Sequence, residues 1–179
     1  FFGVDVFFTF SGFLITSLLL EEFGKARQID LLGFFKRRFY RIVPPVVLMV
    51  LVTMPFTFLV RQDYVAGIGG QIAGVLGFMT NFYEMLTGGS YESQFIPHLF
   101  VHNWSLAVEV HYYILWGLAV WFLSKRSKSS SQLRGIVFLL SAGAFIISFF
   151  SMFIGSLMAS SYSSVYFSSL THVYPFFLG

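Results

Sequence analysis

The stretch Phe1 to Leu20, FFGVDVFFTFSGFLITSLLL, is an apolar run of the length a membrane-crossing helix needs, about 20 residues, and its only charge is Asp5. Insertion of an Asp near a helix centre costs about 2.5–3.5 kcal/mol, less near an interface, so a retained carboxylate is usually paired, water-facing or functional. At helical periodicity Asp5, Thr9, Gly12 and Thr16 fall on one stripe, while Phe7, Phe8, Phe10, Phe13 and Leu14 cover the rest. The polar stripe is expected to face protein rather than lipid.

Composition extends this reading to the whole chain. Hydrophobic residues make up 56%, charged residues 11%, and the mean hydropathy is +0.77. A soluble globule carries about 25% charged residues, so the chain is an integral membrane protein. Its 25 phenylalanines suit lipid-facing helix surfaces and interfacial belts. With no cysteine, disulfide and thiolate chemistry are excluded within the chain. The net charge of +3 resides in two short clusters, Lys36, Arg37, Arg38, Arg41 and Lys125, Arg126, Lys128, Arg134. Both flank apolar runs, which argues against nucleic-acid binding and for topology signals that place basic loops 21–41 and 124–135 in the cytoplasm. The chain starts at Phe1 inside an apolar run and stops at Gly179 as another opens, so it is expected to be an internal piece of a longer polytopic protein.

Four stretches have spanning length: Phe1 to Leu20, Ile42 to Val60, Trp104 to Leu123 and Ile136 to Met158, with a fifth opening near His172. Between the second and third lies Gln71 to Leu86, whose apolar part is interrupted by Thr80, Asn81 and Glu84. If both basic clusters share one side, this segment must start and end on the other. The expected fold is therefore an all-α polytopic transmembrane bundle, a single membrane-embedded domain over residues 1–179, with a re-entrant segment at 71–86. A true crossing there would put the Lys125 cluster outside, against the positive-inside trend.

The third span, WSLAVEVHYYILWGLAVWFL, places Ser105, Glu109, Tyr112 and Trp116 along one helical face, a polar seam inside a membrane helix. Helix capping is the plainer account, but Glu109 lies six residues after Asn103 and four after Ser105, so a capping box fails. An interfacial Glu and a functional site remain as alternatives. In FFKRRFYRIVPP, Phe34 to Pro45, the arginines Arg37, Arg38 and Arg41 lie about one helical turn apart, next to a Pro-Pro helix start. They could anchor the helix at the interface or clamp phosphates in bidentate fashion. His98 and His102 have a metal-compatible spacing, but Pro97 and the loop character oppose a metal site. His111 lies on a different face from Glu109, and His172 opens the last apolar stretch beside Thr171.

Three patterns occur in order: Gly3-Val4-Asp5-Val6-Phe7-Phe8 with Ser11-Gly12-Phe13, then Arg37-Arg38 with Arg41 and Pro44, then Trp104-Ser105-Leu106 with Glu109. Together with Val165-Tyr166-Phe167 and Thr171 to Gly179, they resemble the acyltransferase family 3 membrane proteins. Those proteins O-acetylate peptidoglycan, other polysaccharides and some small molecules. The resemblance implies a multi-pass plasma-membrane enzyme passing acetyl from acyl-coenzyme A to a hydroxyl of a cell-envelope polysaccharide such as peptidoglycan, with no tightly bound cofactor. It implies that Asp5 and Glu109 are catalytic, that Arg37, Arg38 and Arg41 hold coenzyme A phosphates, and that Ser11, Trp104, Ser105 and His172 line the substrate path. It also implies a catalytic His on a helix before Phe1, which Asp5 would orient, and an extracytoplasmic hydrolase-like domain elsewhere. The chain alone is expected to be inactive. Where the family commonly has Thr-Arg this chain has Thr171-His172, which gives His172 a candidate role. The rival reading is an ion- or proton-coupled transporter using Asp5 and Glu109.

Overall fold

The computed structural model describes residues 2–57, 59, 67–87, 99–158, 168 and 172–179. Four long helices dominate: α1 (Phe2–Ala26), α2 (Leu31–Thr57), α5 (Trp104–Arg126) and α6 (Ser130–Met158). All four contain stretches long and apolar enough to cross a membrane. Among the described residues, two short α-helices, α3 (Ile68–Leu76) and α4 (Thr80–Thr87), and a 3-10 turn at Val101–Asn103 lie between the second and third, and α7 (Tyr174–Leu178) follows α6. Among the described residues there is no strand, so the chain is an all-α polytopic bundle.

The helices run past the apolar cores that the sequence marks out. Arg27 adopts a left-handed φ of 59° just after α1, with its N–H bonded to the Phe23 carbonyl, and so ends the helix. Asp30 then starts α2, its Oδ1 accepting the Gly33 N–H at 3.0 Å. The connecting segments are therefore far shorter than 21–41 and 124–135. Only Arg27–Asp30 separates α1 from α2, and Ser127–Ser129 separates α5 from α6. The Pro-Pro pair does not begin α2 either, because Pro44 and Pro45 lie inside it. Their missing N–H groups leave two carbonyls of the preceding turn without intrahelical donors. Phe34 is buried before that gap and Val46 and Val50 after it, so the helix is packed on both sides of the proline pair.

Contacts along the bundle fix its directions. α1 and α5 run parallel: Phe8 meets Trp104, Ser11 meets Glu109, and Trp116 Nε1 donates to Thr16 Oγ1 at 2.9 Å. α2 runs against both, with Phe34 close to Gly117, Arg38 over Tyr113 and Met49 beside Asn103. The C-terminal ends of α1 and α5 and the N-terminal end of α2 thus gather at one end. α6 starts there too, directly after α5, so both basic clusters share that end.

The α3–α4 pair begins and ends at the opposite end. Helices of 9 and 8 residues rise only about 12–14 Å each, too little for a hydrocarbon core of about 30 Å. The turn at Gly77–Met79, with Phe78 at a φ of 53°, puts Phe78 on the wall of a cavity that Ile42, Val43 and Val110 also line, well down α2 and α5. The segment dips into the bundle and returns, as a re-entrant hairpin does.

The main core gathers α1, α5 and α7 with Phe34 of α2 and Leu133 and Val137 of α6, and a second cluster packs Val46 and Val50 of α2 against Val75 of α3. Phe176 stacks between Phe8 and Tyr112, with both centroid distances 4.2 Å. A Cβ on Gly12 would overlap the Phe176 carbonyl, so the absence of a side chain there lets α7 seat. Thr16 and Gly12 of the polar stripe do face protein. Phe8 departs from the expected lipid-facing set, being fully buried, because α7 covers that edge of α1.

Candidate active site

The sequence-derived site residues separate into two clusters at different depths along α1. At the end opposite the basic clusters, the Asp5 carboxylate meets the His172 imidazole, with Oδ1 and Nε2 3.1 Å apart. His172 is buried edge-on to the Trp104 indole, at a centroid distance of 5.3 Å, and Phe8 packs on both rings. His172 lies outside the four spanning helices. Burial holds its imidazole below the ordinary histidine range, and the neighbouring Asp5 charge opposes that shift.

Six residues further along α1, about 9 Å by helical rise, Ser11 donates to Glu109 Oε1 at 2.5 Å. The Tyr113 hydroxyl donates to the same oxygen. Glu109 is only 4% exposed, and among the described residues no hydrogen bond reaches its other oxygen, Oε2. Glu109 and Tyr113 share one face of α5 by their i, i+4 spacing, and the parallel packing of α1 brings Ser11 to both.

Ser11, Glu109, Tyr113, Arg38 and Arg41 line one cavity of about 350 Å³ between α1, α2 and α5. The Arg38 guanidinium lies 5.6 Å from the Tyr113 ring centroid and 5.8 Å from that of Phe34. Its Nε is buried and has no hydrogen-bond partner among the described residues. Arg37 points elsewhere: its Nη2 lies 3.3 Å from Glu22 Oε2, on an exposed face. The arginine group therefore divides, with two members turned to the cavity and one to the helix linker.

Asp5 and Glu109 do not share a site, since Phe8 and about two turns of α1 separate them. Among the described residues, Asp5 meets His172. Trp104 is a fully buried wall of the Asp5 cluster. Ser105 stands apart, its hydroxyl donating to the His102 carbonyl at 3.2 Å. Tyr112 and Trp116 belong to the aromatic core, with Trp116 also bonded to Thr16. His98, Val165-Tyr166-Phe167 and Thr171 lie outside the described residues. Tyr113 was not singled out from the sequence. Its signal was the i, i+4 spacing from Glu109, the strongest same-face relation on a helix.

Spanning helices arranged around a buried, hydroxyl-bonded carboxylate and two cavity-lining arginines define a polytopic membrane protein with an intramembrane polar site. The whole chain, residues 1–179, matches the family described as an acyltransferase domain, and the chain belongs to that family, acyltransferase family 3. It is similar to O-acetyltransferase OatA of Staphylococcus aureus (strain NCTC 8325 / PS 47), with 34% identity over 181 residues, covering 100% of this chain and 29% of that protein. A putative O-acetyltransferase of Staphylococcus aureus (strain COL) is 33% identical over 180 residues, again covering 100% of this chain and 29% of the relative. The chain thus spans less than a third of the length of these curated relatives. No solved structure matches it.

Proposed function

We propose that the chain is the membrane-embedded part of an O-acyltransferase that moves an acetyl group from acyl-coenzyme A to a hydroxyl of a cell-envelope polysaccharide, peptidoglycan first among acceptors. The observation that carries this reading is the shared cavity, in which a buried carboxylate, Glu109, stands beside Arg38 and Arg41. Acyl transfer to an alcohol needs a group that takes the hydroxyl proton and donors that stabilise the oxyanion. Glu109 takes the proton, directly or through another base. Arg38 and Arg41 stabilise negative charge on the donor, and Arg37 meets its phosphates where the chain leaves the membrane. The acceptor oxygen bonds to the acyl carbon, the carbon–sulfur bond breaks, and the hydroxyl proton ends on the coenzyme A thiol. Asp5 and His172 form an acid–imidazole pair at the far end of the bundle, where Asp5 fixes the ring orientation as the acid does in a Ser-His-Asp triad. The positive-inside trend puts the basic end in the cytoplasm, on the donor side of the plasma membrane.

The test uses the full-length protein in proteoliposomes, with labelled acetyl-coenzyme A and a soluble peptidoglycan oligosaccharide. Replacing Arg38 and Arg41 together with Ala should abolish label transfer while membrane insertion stays normal; unchanged transfer would overturn the donor assignment. Asp5→Asn should likewise remove transfer at normal expression. If it changed an ion current or solute uptake instead, the transporter reading would replace this one.

A further inference from the structure

Glu109 presents its two oxygens to different surroundings. Oε1 receives both Ser11 Oγ and the Tyr113 hydroxyl, whereas Oε2 takes no hydrogen bond among the described residues, and Glu109 is one of the residues lining the cavity. A carboxylate kept only for structure would be bonded through both oxygens, because each unmet acceptor in an apolar interior carries a desolvation penalty. Two donors gathered on one oxygen leave the other for something that enters the cavity.

We propose that Ser11 and Tyr113 are positioning residues that lock Glu109 through Oε1 and aim Oε2 at the acceptor hydroxyl. This rests on the acyltransferase reading above and gives Ser11 a different role from the substrate path that the family resemblance implies. Three features make the lock stiff. Ser11 comes from α1 and Tyr113 from α5, so the carboxylate is fixed from two helices whose packing is set independently by the Phe8–Trp104 and Thr16–Trp116 contacts. Tyr113 is itself held, with the Arg38 guanidinium over its ring and its hydroxyl 3.5 Å from Ser11 Oγ. Finally, Glu109 and Tyr113 share one face of an unbroken helix, so neither can move along the bundle without the other. The hydroxyl proton of the acceptor passes to Oε2 as the new carbon–oxygen bond forms, and from Oε2 to the coenzyme A thiolate as the carbon–sulfur bond breaks, while Oε1 keeps its two donors throughout.

The experiment measures steady-state transfer by the full-length protein with Ser11→Ala, Tyr113→Phe, Glu109→Gln and the two double variants Ser11→Ala/Glu109→Gln and Tyr113→Phe/Glu109→Gln. Each single positioning variant should lower kcat by roughly 10- to 100-fold, the scale of a misplaced catalytic group, with KM for acetyl-coenzyme A unchanged. Glu109→Gln should lower kcat by about 10²- to 10⁴-fold. In the Glu109→Gln background, adding Tyr113→Phe or Ser11→Ala should cause no further loss, since both act through that carboxylate. Tyr113→Phe is nearly isosteric and keeps the ring under Arg38, so its loss reports the hydroxyl. Losses that multiply in the double variants, or a normal kcat in both single variants, would overturn the positioning role. A fully active Glu109→Gln would instead overturn the role of Glu109 itself, a distinct result from failure of the lock.

Discussion

At the scale of single residues, chemistry depends on which atoms the packing leaves available. The arginines show this most directly. Arg37 is exposed and engaged with Glu22, an ion pair worth about 0–1 kcal/mol in such surroundings, whereas Arg38 and Arg41 line the cavity with Glu109. Arg37→Ala should therefore raise KM for acetyl-coenzyme A modestly and leave kcat near normal, while Arg38→Ala should depress kcat. Michaelis curves on the purified full-length variants separate the two effects, and equal losses of kcat would contradict the division. His172 supplies a pH dependence. Its folded pKa is held below the unfolded value of about 6.5, chiefly by burial, with Asp5 pulling the other way. The stability tied to the neutral ring is intact above that unfolded value. It is lost as pH falls toward the folded value, because the unfolded chain takes up the proton first. Thermal unfolding in detergent should show a midpoint that drops as pH falls below the unfolded value of about 6.5, and a smaller drop in His172→Gln; an identical drop in both would remove His172 as the cause. Asp5 and Glu109 were legible from sequence because charges in apolar runs are conspicuous. Tyr113 was not, since a phenol among 25 Phe and 9 Tyr carries no such signal until its helical register with Glu109 is counted.

At the scale of elements, close approach explains more than propensity does. α7 has 5 residues and is too short to persist alone, yet it is seated because Phe176 enters an aromatic stack and its carbonyl approaches α1 at Gly12. Gly12→Ala should destabilise the bundle by about 1–3 kcal/mol, the range for overpacking a filled contact. Gly24→Ala, where an added Cβ meets nothing within 4 Å, should be neutral or stabilising by up to about 1 kcal/mol, through helix propensity alone. Detergent-unfolding midpoints of the two variants test the contrast, and equal midpoints would mean that α7 is not anchored at that point. Apolar length located the four spans well, but it missed their ends. Caps such as Asp30 and left-handed stops such as Arg27 act outside the apolar core, and the Pro44-Pro45 signal for a helix start was overridden by packing upstream of it. The Phe8 misplacement has the same origin, because a helical wheel for α1 alone contains no α7.

At the scale of the whole molecule, the decisive feature is the even number of crossings between the two basic clusters. Basic clusters at the start of α2 and around the α5–α6 connection require a re-entrant 71–86 under the positive-inside trend, and the parallel course of α1 and α5 with α2 opposed gives the same topology from packing. If the hairpin returns to the surface it left, Leu59 and Thr87, exposed residues on either side of it, lie on one face of the membrane. Lys128, exposed in the α5–α6 connection, lies on the other. A cysteine-free version of the full-length protein, into which this chain introduces no thiol of its own, makes the test clean. Single variants Leu59→Cys, Thr87→Cys and Lys128→Cys are exposed to a membrane-impermeant maleimide in intact cells and in inverted vesicles. Leu59→Cys and Thr87→Cys should label from the same side, the exterior, and Lys128→Cys only from the cytoplasmic side. Labelling of Leu59→Cys and Thr87→Cys from opposite sides would mean that 71–86 crosses. It would also reverse α5 against α1, and so take Glu109 away from Ser11 and dissolve the cavity on which the proposed chemistry depends.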